Sequence, residues 1–195
     1  MTKLLDYLIA RAESAPLSWH PKLGGKRAWI CFDDHRVFDL DADPHGERFR
    51  IIAAQMMSGH YYPSDVIQVS GRFARENRPL RAGDRVVQQV PLFGRLGGPL
   101  LNSVVEIFVA ERTEKRCRIG YVTTNFHFGR GIWSALLILD GNNLKIEAQS
   151  TTSPHSWLFW LGLPYARFLQ LRARRRAVEE FRNVLPALAN PPNLC

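Results

Sequence analysis

Cysteine is scarce. Three occur in 195 residues, Cys31, Cys117 and Cys195, far apart and odd in number. No CxxC pair exists, which excludes a zinc knuckle or a disulfide framework and points to a reducing cytoplasm. No apolar run approaches the ~18 residues of a membrane-spanning helix. The richest stretch, Trp157 to Leu171, is interrupted by Pro164 and Arg167. The opening MTKLLDYLIARAES has neither the long apolar core nor the small-residue cleavage site of a secretory signal. Gly94, Gly97 and Gly98 lack the GK[ST] ending of a phosphate loop and read as a turn. No serine or cysteine sits in a nucleophile elbow, and no histidine pair with an acidic helper is spaced for zinc. No cofactor and no metal site are expected, and no catalytic residue is named by motif.

What the chain does have is enough apolar substance for a core: 46% hydrophobic residues, 11% aromatic. At this length the expectation is one domain over 1–195. The net charge is +8, and much of the excess lies in Arg167, Arg172, Arg174, Arg175, Arg176 and Arg182. These read as a solvated helix face rather than a nucleic-acid footprint. An acidic patch, Asp33, Asp34, Asp39, Asp41 and Asp43, matches no calcium-loop spacing and reads as turn and cap chemistry.

The N-terminal part, 1–63, reads as helix and loop. Leu4, Leu5, Leu8, Ile9 and Ala12 share one helical face behind a Thr2 cap, and Pro16 closes that segment. A short strand is expected over 28–32. A second helix follows over 47–58, burying Phe49, Ile52, Ala53 and Met56 and stopped by Gly59. From 64 to 152 the period changes to two. Candidate strands cover 65–69, 85–92, 103–110, 116–126, 132–139 and 144–152, with Asp140-Gly141-Asn142-Asn143 a strong hairpin signal. Links this short favour an antiparallel meander. The last segment, 153–185, is a helix with an expected break at Gly162-Leu163-Pro164 and an apolar stripe of Leu161, Tyr165, Phe168, Leu169 and Leu171; a tail, 186–195, follows. The fold class is α+β: about six to seven antiparallel strands in a curved sheet around a long C-terminal helix, with extra N-terminal helices.

Alternation sets Tyr121, Thr123, Asn125 and His127 on one face of their strand, together with Cys117 and Ile119. Polar groups on an apolar inner wall must bond to each other or to a ligand, since each left unpaired costs about 1–3 kcal/mol. Convergent polar groups in an apolar pocket are the usual make-up of a small-molecule site. Trp133, Trp157, Trp160 and Tyr165 read either as lining of that cavity or as plain core. Arg167 and Gln170 read either as a fork for a ligand carboxylate or phosphate, or as a structural tie from the helix to the N-terminal layer. His127 reads either as an acid or base, or as the cap of a loop.

Two stretches carry a resemblance. YVTTNFHFGRG, 121–131, and TSPHSWLFWLGLPYARFLQ, 152–170, resemble motifs of a plant and bacterial family known only as a domain of unknown function. The second is the more specific, with Pro154, Trp157, Leu161, Gly162, Pro164, Arg167 and Gln170 at matching positions. That family is similar to the START-like, or helix-grip, folds, in which a curved sheet grips a long helix and an apolar ligand often sits between them. The resemblance implies no activity. Relatives carry two acidic residues after the motif glycine, whereas here Gly131 is followed by Ile132 and Trp133.

The expected function is therefore binding of a small apolar or amphipathic molecule between sheet and helix. The alternatives are an enzyme of cyclase or hydrolase type using the same cavity, or a basic-surface protein for nucleic acid or anionic lipid.

Overall fold

The computed structural model describes residues 3–19, 31–91, 100–127, 129–154 and 157–184, with backbone alone for 3–5, 154 and 157–166. Four helices and seven strands follow in the order α1 (Lys3–Ala12), β1 (Phe32–Ala42), α2 (Glu47–Met57), β2 (Gln68–Gly71), α3 (Arg72–Arg75), β3 (Arg85–Pro91), β4 (Leu100–Arg112), β5 (Arg116–Thr123), β6 (Gly129–Asp140), β7 (Asn143–Pro154) and α4 (Trp157–Arg182). The strands form one antiparallel sheet in the order β1-β7-β6-β5-β4-β3-β2. The hairpin signal at 140–143 joins β6 to β7, and Gly141 supplies the positive φ, 58°, that this tight turn needs.

The register fixes what shares a face. Phe38, Ile146, Leu137 and Cys117 lie in one row across β1, β7, β6 and β5. Asp34, Ser150, Trp133 and Tyr121 lie in another row of the same face. The first row packs with Leu40, Phe49, Ile52, Met56, Ala177, Val178 and Phe181, so α2 and the C-terminal half of α4 cover this face. The opposite face is covered at β3 and β4 by α1, whose Ile9 and Ala12 meet Val87 and Val104. The side chains of Leu4 and Leu5 lie outside the described residues. None of the helices among the described residues is long and apolar enough to cross a membrane.

Four expectations need correction. Four of the five acidic-patch residues are not turn: Asp33, Asp34, Asp39 and Asp41 ride on an eleven-residue edge strand, β1, that runs on past the short strand expected over 28–32, whose residues 28–30 lie outside the described set, and only Asp43 does the expected capping. An edge strand needs little apolar character, and charges there deter pairing with another chain. The strand placed at 65–69 lies later, as β2, with a turn at 64–66 and the four-residue α3 after it. Pro164 does not break the last helix: α4 runs unbroken through Gly162 and Pro164 for 26 residues, about 39 Å at 1.5 Å per residue. A proline forfeits one helical hydrogen bond, and the packing of a long helix outweighs that loss. Finally, among the described side chains of α4, 167–182, the buried ones are Ala173, Ala177, Val178 and Phe181, while Phe168 and Leu171, placed in the apolar stripe, are 56% and 39% exposed; the side chains of Leu161 and Tyr165 lie outside the described residues. Small alanines let the helix approach the sheet closely, and a 3.6-residue repeat then turns Phe168 outward.

The end of α4 is held by a cation. Arg48 of α2, almost fully buried, donates from Nε to the carbonyl of Val184 at 3.2 Å, and from its second terminal nitrogen to those of Phe181 at 3.2 Å and Arg182 at 3.0 Å. These are carbonyls a helix C-terminus leaves without intrahelical donors, at the negative end of its dipole. The Asp43 carboxylate in turn accepts from the Arg48 and Phe49 backbone N–H groups at 3.3 and 2.7 Å, capping the start of α2.

Candidate functional site

The polar end of the inner wall begins where the β5–β6 ladder stops. Backbone pairing reaches Val122↔Ile132 and no further. Beyond it the Thr123 hydroxyl takes over. It accepts from the Gly131 N–H at 2.8 Å, donates toward the Gly131 carbonyl at 3.2 Å, and lies 2.8 Å from the Ser18 hydroxyl. A side chain at Gly131 would collide with the Thr151 carbonyl, its Cβ only 2.1 Å away, so the close approach needs glycine. Thr123 thus ties two strands and the N-terminal segment together. His127 lies on the turn after it. Its Nδ1 is 3.0 Å from the N–H and 2.9 Å from the carbonyl of Gly129, so that single residue offers a partner to either tautomer. Burial lowers its pKa to about 4, against a smaller opposing effect of the Gly129 backbone, and the ring is neutral at pH 7. Asn125 is exposed, its backbone N–H bonded to the Pro16 carbonyl at 2.9 Å.

Deeper along the wall lies a group of rings. Trp133 stacks on Tyr121 at 5.2 Å between centroids and 23° between planes. Tyr61, from the loop after α2, stands edge-on to Trp133 at 4.7 Å, to Tyr62 at 4.7 Å and to Phe181 at 5.5 Å. These are the offset and edge-to-face geometries that ring quadrupoles favour. Burial holds the hydroxyls of Tyr61, Tyr62 and Tyr121 protonated, the last with its pKa at about 12 and a hydrogen bond to Gln88 opposing the rise. Gln88 stands opposite Ser103 on the same face. Two of these hydroxyls are orphans. Tyr61 is 3% exposed and Ser103 1% exposed, and neither hydroxyl has a hydrogen-bond partner among the described residues.

The mouth of the wall, toward β1, is charged. Asp34 Oδ2 accepts from Arg174 at 2.7 Å and from Arg167 at 2.9 Å, and Oδ1 lies 3.2 Å from Arg36 Nε. Burial pushes the Asp34 carboxyl up, but the bonds and charges of Arg174 and Arg167 outweigh it and hold the carboxyl below the ordinary range. The charge of Arg174 opposes, weakly, the rise that burial imposes on the Tyr61 and Tyr62 phenols.

The structure therefore brings Tyr121, Thr123 and Trp133 to one inner wall, with His127 at its edge. Arg167 engages Asp34 rather than forming a fork with Gln170, which is exposed. The side chains of Trp157, Trp160 and Tyr165 lie outside the described residues. Sequence reasoning missed Tyr61, Tyr62, Gln88, Ser103 and the Asp34–Arg174 pair. Only Gln88 and Ser103 carried a signal, as polar positions on the inward phase of otherwise apolar strands.

No protein-family model and no curated protein matches the chain. Solved structures do resemble it. The di-domain ARO/CYC BexL from the BE-7585A biosynthetic pathway aligns with a TM-score of 0.51 at 10% identity, over 83% of this chain and 52% of that one. TTHA0849 from Thermus thermophilus aligns at 0.47 and 14%, over 78% and 94%. Major latex-like protein 151 from Panax ginseng aligns at 0.43 and 11%, over 78% and 98%. The fold is helix-grip. At these identities the likeness is one of fold, and no family model matches the two sequence motifs.

Proposed function

We propose that this helix-grip protein binds a small, largely apolar molecule between the inner wall of its sheet and α4, with no covalent step. The observation that carries this reading is the pair of orphan hydroxyls, Tyr61 packed edge-on to Trp133 of the Trp133–Tyr121 stack, and Ser103 on the same sheet face opposite Gln88. A buried hydroxyl without a partner costs about 1–3 kcal/mol, so a fold that retains two on the inner side of its sheet has a use for them. Apolar rings with a few placed polar groups are the ordinary composition of a ligand pocket. Thr123 and His127 hold the wall's shape in this reading, since both are bonded to backbone of the β5–β6 turn. The thiols of Cys31 and Cys117 are free, which suits a reducing compartment.

The test is binding of Nile red, a neutral apolar dye, followed by its displacement with solvent-extracted lipids, alongside native mass spectrometry of the purified protein. Saturable dye binding that a S103V or Y61F variant alters is the expected result. A protein that arrives without adducts and takes up no dye is not a carrier of apolar molecules.

A further inference from the structure

We infer that the ligand carries an acid head group, a carboxylate or phosphate, and that Arg174 and Arg167 receive it at the mouth of the site. This rests on the apolar-ligand reading above and specifies which end of the molecule faces which residues.

Charge is the first argument. Three guanidiniums, of Arg36, Arg167 and Arg174, meet the single carboxylate of Asp34. Arg36 lies mostly in solvent, its side chain 62% exposed, but Arg174 is 11% and Asp34 6% exposed. The inner part of the cluster therefore keeps a surplus positive charge where screening by water is weak. Asp34 repels an incoming anion, yet it also fixes both helix arginines in place, and the surplus leaves the sum attractive.

Unused donors are the second argument. A guanidinium offers five N–H groups in a rigid fork. Among the described residues Asp34 engages one terminal nitrogen of Arg174 and one of Arg167, so there each fork keeps donors for a second oxyanion, the geometry that carboxylate and phosphate fit.

The Tyr61 hydroxyl, buried and without a partner among the described residues, stands within electrostatic reach of Arg174. A protonated phenol packed on Trp133 adds a neutral donor on the inner side of the cluster. The same residues leave an apolar chain or ring to lie along Trp133 and Tyr121, one and two strands beyond Ser150 in the row that starts at Asp34.

Dodecanoate, dodecyl phosphate and dodecanol share a tail and differ in the head, so their dissociation constants on the full chain, read by Nile red displacement at neutral pH, isolate it. An acid bound at least about tenfold more tightly than the alcohol is the expected result, equivalent to about 1.4 kcal/mol. Arg174→Gln should bring the acid-to-alcohol ratio toward one, Arg174→Lys should keep part of it, and Asp34→Asn should raise it. The tighter of the two acids identifies the head. Dodecanol binding as well as both acids overturns the acid head and leaves the apolar-ligand reading standing. No binding by any of the three overturns both.

Discussion

Two rows of the same sheet face, a few residues apart, are built on different principles. The row of Phe38, Ile146, Leu137 and Cys117 is sealed by α2 and the last turns of α4, and its three inner members are fully buried. The row of Asp34, Ser150, Trp133 and Tyr121 carries a carboxylate, two hydroxyls and stacked rings. Register and pleat are shared, so backbone geometry does not distinguish them. What differs is the balance between packing and unspent hydrogen-bonding capacity. The aliphatic row is packed to exclude everything, and it holds the fold. The polar row carries a surplus of guanidinium at its Asp34 end and packs its Trp133 against Tyr61, whose hydroxyl is unpaired among the described residues, and it holds the site. A helix-grip fold can specialise the two ends of one wall because α4 spans both and is anchored at one end by Arg48.

Substitutions can break that contrast from the stable side first. Leu137→Ala should cost about 2–5 kcal/mol, the range for a large-to-small change in a sealed core, read as a lower urea midpoint. Arg48→Ala should come next, at about 2–3 kcal/mol, because three carbonyls at the end of α4 lose a buried cationic donor. Its far-ultraviolet circular dichroism should show loss of helix before loss of sheet. If Arg48→Ala melts no earlier than the parent, the helix is held by its apolar face alone and the anchoring role falls.

How far the amino-acid order reveals this arrangement depends on the kind of residue. Gly141 and its neighbours declare a hairpin by local chemistry, and the alternation from Cys117 to Thr123 declares a face, so Tyr121 and Thr123 can be placed before any coordinates exist. β1 is hidden because its charges mimic a turn. The inward face of α4 is hidden because its buried residues include two alanines, while the larger Phe168 and Leu171 look outward. Tyr61 and Tyr62 lie in an aperiodic loop where no phase assigns a side. The Asp34–Arg174 pair spans 140 residues, and nothing in either residue's surroundings names the other. Local rules reach the scaffold, whereas the site is assembled from positions that only folding brings together.

A milder test acts on the charged mouth. Asp34 ionises more readily in the folded chain than in the unfolded one, because Arg174 and Arg167 favour its anion. Such a group stabilises the fold above its unfolded pKa, ordinarily about 3.9, and that contribution fades as pH falls through the folded value. Asp34→Asn should therefore cost on the order of 1–2 kcal/mol at pH 7, with the difference from the parent closing in acid. Thermal melts of both proteins between neutral and strongly acidic pH check the sign. A gap that widens as the pH drops would mean that the arginines do not favour the ionised form.

The smallest expected effect sharpens the contrast most. In the aliphatic row every atom deleted is an atom of packing lost. Against the polar row, the Tyr61 hydroxyl contributes no hydrogen bond among the described residues, so Tyr61→Phe deletes only a desolvated group and keeps the ring against Trp133, Tyr62 and Phe181. The unfolding free energy should stay the same or rise, by up to about 1 kcal/mol. Tyr121→Phe is its counterpart, because that hydroxyl bonds Gln88, and the change should lower stability by about 1 kcal/mol. Opposite signs from two chemically identical deletions, a ring's width apart, would separate an oxygen kept for the fold from one kept for a ligand. Equal losses from both would mean that the Tyr61 hydroxyl is bonded within the folded protein, and the argument for a site beside it would fail.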